Sequence, residues 1–336
     1  MNDATLPEKI LANWPADRWE RHVLTLAVSG GADSVALLRS FSQLQPDRSR
    51  LVVVHVNHGL RATAADEDEQ FVAELCQAER LPFVSRRIDP RQLQANRKDG
   101  LEGAARAIRY QMLLDSANQH GSRYVLTAHN SDDQVETVLH HLFRGTGLAG
   151  LAGMSNFRLL SEAVTLARPL LTVSRAEIES WLASIGQRFR QDDSNQSDAF
   201  ARNRIRHNIL PVIERELGTH IRGSILKTSQ IMQDAVDDYS CRVDQVYDQV
   251  VIHSQPSQCI LAHDGLVEHS IGFRIEFFIR LWKRMNWSRQ SMTRQHWLKL
   301  ARSCETTVYV FDLPASIECR VSDGRICIRK KNDPGS

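Results

Sequence analysis

Along the first half of the chain, continuous apolar runs alternate with stretches whose apolar residues recur every three or four positions. The runs are VLTLAVS (23–29), LVVVHVNH (51–58), PFVSRRI (82–88) and YVLTAH (124–129). Each is followed by an amphipathic stretch: VALLRSFSQL, DEDEQFVAELCQAE, EGAARAIRYQMLLDSA and DQVETVLHHLF. Unbroken Val/Leu strands separated by helical patterns predict an α/β fold, with a doubly wound, mostly parallel sheet covered on both faces. Such sheets bind ligands beyond the carboxyl ends of their strands. Two polar motifs fall there, VSGGADS (28–34) and TAHNSDDQVET (127–137).

After the glycine-rich GTGLAGLAGM (145–154), the spacing turns helical in SRAEIESWLASIG and RNRIRHNILPVIERELG. The helix carrying Arg202 and Arg206 is expected to end at Pro211, and Gly218 is a candidate breaker. A domain boundary is therefore placed there: a first domain over 1–217, with a helical extension from near 170, and a second over 218–330. That second domain is expected to be smaller and mainly helical, ending in a β-hairpin. Its strands would be TTVYVFDL and SIECRVSDGRICIRKK, the latter folded at Asp323-Gly324.

A length of 336 residues suits two domains of ordinary size, and 42% hydrophobic with 24% charged residues is a soluble, globular balance. No run approaches the roughly 18 apolar residues of a spanning helix, and MNDATLPEKI lacks a leader's basic start and apolar middle. A cytoplasmic protein without membrane contact is expected. The six cysteines are scattered with no CxxC pair, which predicts reduced thiols. A net charge of +2 does not by itself mark a nucleic-acid binder, so any polyanion would have to be met by local basic patches.

In VSGGADS, two adjacent glycines after a strand can aim successive backbone N–H groups into one concavity at a helix N-terminus, which suits phosphate. An ordinary turn in which Ser29 or Asp33 caps the helix is the plainer alternative. Neither the Walker pattern GxxxxGK[ST] nor GxGxxG is present, so the two common nucleotide loops are disfavoured. In TAHNSDDQVET, Asn130 or Ser131 can cap a helix whose first turns carry Asp132, Asp133 and Glu136. Acids there are favoured by the helix dipole without any chemistry. Yet Asp133 and Glu136 share one face, which opens at the same sheet edge as Asp33. Three converging carboxylates need a cation, either a metal ion or a substrate ammonium. Glu102, Arg106 and Arg109 form one helical stripe, a solvated pair or a phosphate contact, with Arg109 the better candidate for function. Arg202 and Arg206, one turn apart, suit RNA phosphate or an anionic substrate group as well as a solvated face. His55 and His58 do not complete a zinc set.

SGGADS resembles the SGGxDS signature of the PP-loop ATP pyrophosphatases, which cleave ATP between the α and β phosphates. Further blocks in order, VNHGLR, EGAARAIRY, TAHNSDDQVET, FRGTGLAGLAGM, RPLL (168–171) and DDSN followed by RNRIR, resemble the tRNA(Ile)-lysidine synthetases across residues 22–211. The tail blocks TRQHWLKL and FDLPASIECRVSDGRICI look more loosely like that family's tRNA-recognition domain. The resemblance implies an ATP- and Mg²⁺-dependent ligase that joins L-lysine to C2 of the wobble cytidine in the CAU anticodon of tRNA(Ile). It implies that Ser29, Gly30, Gly31, Ala32, Asp33, Ser34 and His129 bind the nucleotide, with Asp33 holding Mg²⁺. Arg109 would meet the α-phosphate, Asp133 and Glu136 the lysine, and Arg202 and Arg206 the lysine carboxylate or the tRNA. Backbone near Val54 to Val56 is placed at the adenine, and a homodimer is compatible with the family. A tRNA thiolase, an amide-forming synthetase and a non-enzymatic nucleotide sensor are the rival readings.

Overall fold

The computed structural model describes residues 4–57, 62–89, 91, 100–190, 201–289 and 291–331. It divides into two compact units, 1–233 and 234–336. The division falls inside the long helix Ile221–Val250, whereas the sequence pattern had placed it at the breaker Gly218. Gly218 does end a helix, at φ +91, but the chain starts a new one three residues later.

The first unit is built on a six-stranded sheet in the order β3-β2-β1-β4-β6-β5. Its strands are β1 (Val23–Ala27), β2 (Leu51–Asn57), β3 (Phe83–Arg87), β4 (Ser122–Leu126), β5 (Phe157–Leu159) and β6 (Thr165–Ala167). All pairings are parallel except that of β5 with β6. The helices α1 (Leu6–Asn13), α2 (Ala32–Leu44), α3 (Ala62–Glu79), α4 (Gly100–Gln119) and α5 (Ser131–Phe143) follow the predicted alternation. One apolar layer joins α1, α2 and α3 to Leu24, Leu26, Leu51 and Val53. Another packs Tyr110, Leu113 and Ala117 of α4 on Val52, Val54, Val125 and Leu166. Successive residues of β1, β2 and β4 thus feed opposite layers, which is why these strands read as unbroken apolar runs.

The order reverses between β1 and β4: the chain steps from β1 to β2 and β3 on one side, then returns to β4 on the other. The loops after these two strands therefore border a crevice at the sheet's carboxyl edge. VSGGADS follows β1 and TAHNSDD follows β4.

The chain departs from its sequence pattern in two places. Strands β5 and β6 lie where the pattern had turned helical; with three residues each, they are too short to show a period. The segment after Ala201 does not stop at Pro211. A four-residue helix, Ala201–Arg204, widens into a π-turn, Ile205–Ile209, and continues as Leu210–Leu217, with Pro211 in that helix's first turn. Proline lacks the N–H that this position does not need, so it is accommodated rather than terminating.

The second unit carries an antiparallel sheet in the order β7-β8-β11-β10-β9. These are β7 (Val251–Gln255), β8 (Gln258–Ala262), β9 (Tyr309–Leu313), β10 (Ile317–Ser322) and β11 (Arg325–Lys330). Phe277, Phe278, Leu281 and Trp282 of helix Ile271–Arg284 and Leu300 of helix Arg294–Ser303 pack in one core with Cys259, Leu261, Val321 and Ile328. The hairpin at Asp323-Gly324 is as expected, with φ of 50° and 70° at its two turn residues. β7 and β8 were unforeseen, so the unit holds more sheet than a terminal hairpin. No helix among the described residues is long and apolar enough to cross a membrane.

Candidate active site

The turn after β1 uses its two glycines differently. Gly30 sits at φ +100, where side chains are strained, while Gly31 has φ −71 and ψ 162 and caps α2. The N–H groups of Ser29 and Gly30 converge on Ser34 Oγ at 3.1 and 3.2 Å, and that hydroxyl donates to Gly31 O at 2.9 Å. Arg190 N donates to Gly30 O at 2.9 Å, and its guanidinium is anchored on Asp68 and Glu67. The result is a pinned loop with convergent N–H donors, opening onto the first turn of α2, whose own N–H groups have no internal partners.

Asp33 stands on that first turn. Burial raises its carboxyl to about 6; Arg175 pulls it back, Asp133 pushes it further up, and a hydrogen bond from Asn130 and the charge of Arg206 oppose the rise. Its Oδ1 is buried and has no hydrogen-bond partner. A carboxylate oxygen orphaned beside a second carboxylate fits a hard divalent cation, and Mg²⁺ needs only one or two protein carboxylates when phosphates and water complete its shell. No group of three or more His, Cys, Asp or Glu suited to a metal exists among the described residues. The fit is therefore to a nucleotide-borne Mg²⁺ rather than to a metal caged by protein alone.

Across the crevice, Asn130 caps α5 in a reciprocal box: Asp133 N donates to Asn130 Oδ1 and Asn130 N to Asp133 Oδ2, both at 3.0 Å. This fixes Asp133 and turns its Oδ1 toward Arg206 Nη2 (3.5 Å) and Arg202 Nη2 (3.8 Å). Glu136, one turn on and 2% exposed, is ion-paired with Arg206 Nε at 2.5 Å and has Arg202 Nε at 3.3 Å. Burial raises its carboxyl above the ordinary value, while Arg206 offsets the rise. Arg202 also donates to Asp133 O at 2.9 Å and Thr137 Oγ1 at 2.8 Å. Asp132 has a different task. It accepts from Arg175 N at 2.8 Å and pairs with Arg222 at 2.5 Å, tying three segments together.

Arg109 is carried by α4, and His129 follows β4. Burial holds His129 well below its ordinary pKa, helped by Arg168, Arg109, Arg106 and Arg202, so its ring is neutral at physiological pH. Its Nδ1 is 3.0 Å from Thr127 Oγ1. Burial lowers the Arg109 guanidinium as well, and its Nε lacks a partner. The structure thus gathers Asp33 with Asp133, and Glu136 with Arg202 and Arg206, and sets Arg109 beside His129. It adds Asn130, Arg175 and Arg168, which the sequence reading had as a helix cap, part of a helical stretch and part of a motif block. His55 Nδ1 lies 2.9 Å from Val28 O, a structural contact at the loop's base, while Val54 O accepts from Val28 N. His58 and the DDSN block lie outside the described residues.

A family model described as a PP-loop domain matches residues 6–213. A tRNA(Ile)-lysidine synthase from Rhodopirellula baltica is 33% identical over 337 residues, covering 88% of this chain and 83% of the relative. The chain belongs to the tRNA(Ile)-lysidine synthase family. Another lysidine synthase, from Geobacter sulfurreducens, is 40% identical over 260 residues, 77% of this chain and 53% of that protein. Against several such relatives the chain spans about half their length, for example 51% of the one from Bacteroides thetaiotaomicron. Among solved structures, a U34-tRNA thiolase from Methanococcus maripaludis superposes with a TM-score of 0.53 at 15% identity, over 68% of this chain and 78% of that one. That likeness concerns the fold alone. PP-loop membership makes this lysidine synthase relative an ATP-using protein.

Proposed function

We propose that this chain ligates L-lysine to C2 of the wobble cytidine in the CAU anticodon of tRNA(Ile), in the cytoplasm. Cytidine O2 attacks the α-phosphorus of ATP and pyrophosphate leaves. The lysine ε-nitrogen then attacks C2, the C2–O bond breaks, and AMP leaves. The observation that carries the reading is the pairing of an anion-directed glycine loop with an orphaned carboxylate oxygen on Asp33, facing an acid–arginine quartet across one crevice.

The free N–H groups of the first turn of α2, beside the glycine loop, would hold the departing phosphates, and Asp33 would hold Mg²⁺, which neutralises charge on the leaving pyrophosphate when bound. Arg109 offers a fixed cation to the α-phosphate. Lysine carries charge of both signs, and the quartet of Asp133, Glu136, Arg202 and Arg206 offers both: carboxylates for the ammonium, guanidinium forks for the α-carboxylate. The attacking amine must be neutral. Glu136, whose carboxyl is raised by burial, is the group we assign to take its proton. An anticodon loop can present its base to a sheet-edge crevice by splaying it outward. Sulfur transfer is not favoured: Cys76, the only cysteine of the first unit, is buried in the core and its thiol is pushed up to about 12.

The test is incubation with ATP, Mg²⁺, labelled lysine and bulk tRNA. Label in the RNA, with AMP and pyrophosphate, is the expected outcome; ADP, or lysine left free, refutes the reading.

A further inference from the structure

The guanidinium groups around the crevice fall into two classes. Arg175, Arg190, Arg202, Arg206 and Arg222 are each ion-paired with a carboxylate. Arg106, Arg109, Arg158 and Arg168 have no carboxylate partner among the described residues, yet all four bear on one phenol, Tyr110. The guanidinium carbons of Arg158, Arg106 and Arg109 lie 4.9, 5.2 and 5.5 Å from its ring centroid, and Arg106 Nη2 donates to Tyr110 Oη at 3.3 Å.

Arg168, at the end of β6 and 5% exposed, donates through Nη1 to Ser155 O at 2.6 Å, while its Nε is buried without a partner, as is that of Arg109. Four like charges around one ring repel, and a ring face does not neutralise them. Burial alone would raise the Tyr110 hydroxyl, but Arg106, Arg109, Arg168 and Arg158 hold it below its ordinary value, and neighbouring His129 is kept neutral in the same field. The cluster runs from buried Arg168 to exposed Arg106 and Arg158, so it opens to solvent. Orphaned donors in a cationic cluster without a carboxylate partner among the described residues call for an anion with several acceptor oxygens.

We propose that Tyr110, Arg106, Arg158 and Arg168 form a second phosphate-binding site, sharing Arg109 and lying beside β4 and β6. Resting on the ligase reading above, its phosphate is either a backbone phosphodiester of the anticodon loop or a phosphate of ATP. Arg106 and Arg158 meet it from solvent, Arg168 from the core, and Tyr110 sets the spacing of the guanidinium planes.

The test uses the full chain and its Arg158→Gln and Arg168→Gln variants, titrated separately with Mg-ATP and with a synthetic anticodon stem–loop RNA. The Arg158 side chain is exposed and makes no hydrogen bond or ion pair among the described residues, so its variant keeps the fold even where Arg168→Gln, which loses the Ser155 contact, does not. An affinity loss of about tenfold or more is expected for one ligand at least, the size of one lost charge-assisted contact. Loss confined to RNA, with the salt slope of binding shallower by about one, assigns the phosphodiester. Loss confined to ATP assigns the nucleotide, and loss of both marks a site the two phosphates share. Unchanged affinity for both ligands in Arg158→Gln overturns the proposal. A wild-type chain that binds both ligands but attaches no lysine refutes the ligase reading and leaves this site standing.

Discussion

At the residue scale, the Asp33 carboxyl is raised from 3.8 to about 6 by burial, so the folded chain holds its proton more tightly than the unfolded chain does. The stability linked to this group is full below the unfolded value of 3.8 and is lost as pH rises through about 6. The charged form costs up to about 3 kcal/mol, less whatever solvent reaches the half-buried group. In Mg²⁺-free buffer, Asp33→Asn should therefore melt above the wild type at pH 8, with the difference closing by pH 4. Adding Mg-ATP should stabilise the wild type and leave the variant unchanged, and the variant should form no adenylated RNA. A variant that melts below the wild type at pH 8 contradicts this account of the aspartate. Glu136→Gln should adenylate RNA at near wild-type rate but use lysine poorly, as seen by single-turnover release of pyrophosphate and of AMP. Equal loss of both steps would dissolve the division of labour between the two acids.

At the scale of elements, the glycine loop makes a prediction that its sequence alone could not order. Gly30→Ala forces a side chain onto φ +100 and should destabilise by about 1–2 kcal/mol. Gly31→Ala leaves φ at −71, with Ser29 Oγ at 3.8 Å as the nearest atom to the new methyl group, and should melt within a degree or so of the wild type. Denaturant midpoints of the two variants check the ranking. The capping box of α5 yields a second test. Asn130→Ala removes a cap, costing about 0.5–2 kcal/mol, and also removes the hydrogen bond that holds Asp33 down, so the Asp33 pKa should climb further above 6. Carbon-detected NMR titration of that carboxyl reads the shift; a fall would exclude the contact.

For the whole molecule, a formal net charge of +2 conceals a separation of roles. The arginines facing Asp133 and Glu136 are compensated, whereas those around Tyr110 have no carboxylate partner among the described residues. Binding of tRNA should accordingly weaken as salt rises, because uncompensated guanidinium groups release counterions from phosphates. A flat salt response, measured by filter binding between low and physiological ionic strength, would exclude phosphate contacts as the main source of affinity.

What the sequence determined by itself was whatever depends on local order. The apolar runs of β1 to β4 set the parallel sheet, since strands buried on both faces must be apolar at every position. The two motifs that follow β1 and β4 set the crevice, since their place at the strand ends fixes which edge they share. Tertiary structure decided the rest. Strand β6 exists because the longer β4 templates it and β5 because β6 then offers it an edge, and β7 and β8 because β11 supplies their sheet with a core-facing partner. The choice of Gly30 over Gly31 for the left-handed position, the raised Asp33, and the gathering of Arg158 and Arg168 on Tyr110 all arise from groups far apart in the chain. Charge and burial act through space, and a lone arginine in a sequence reads the same whether a carboxylate or nothing waits beside it.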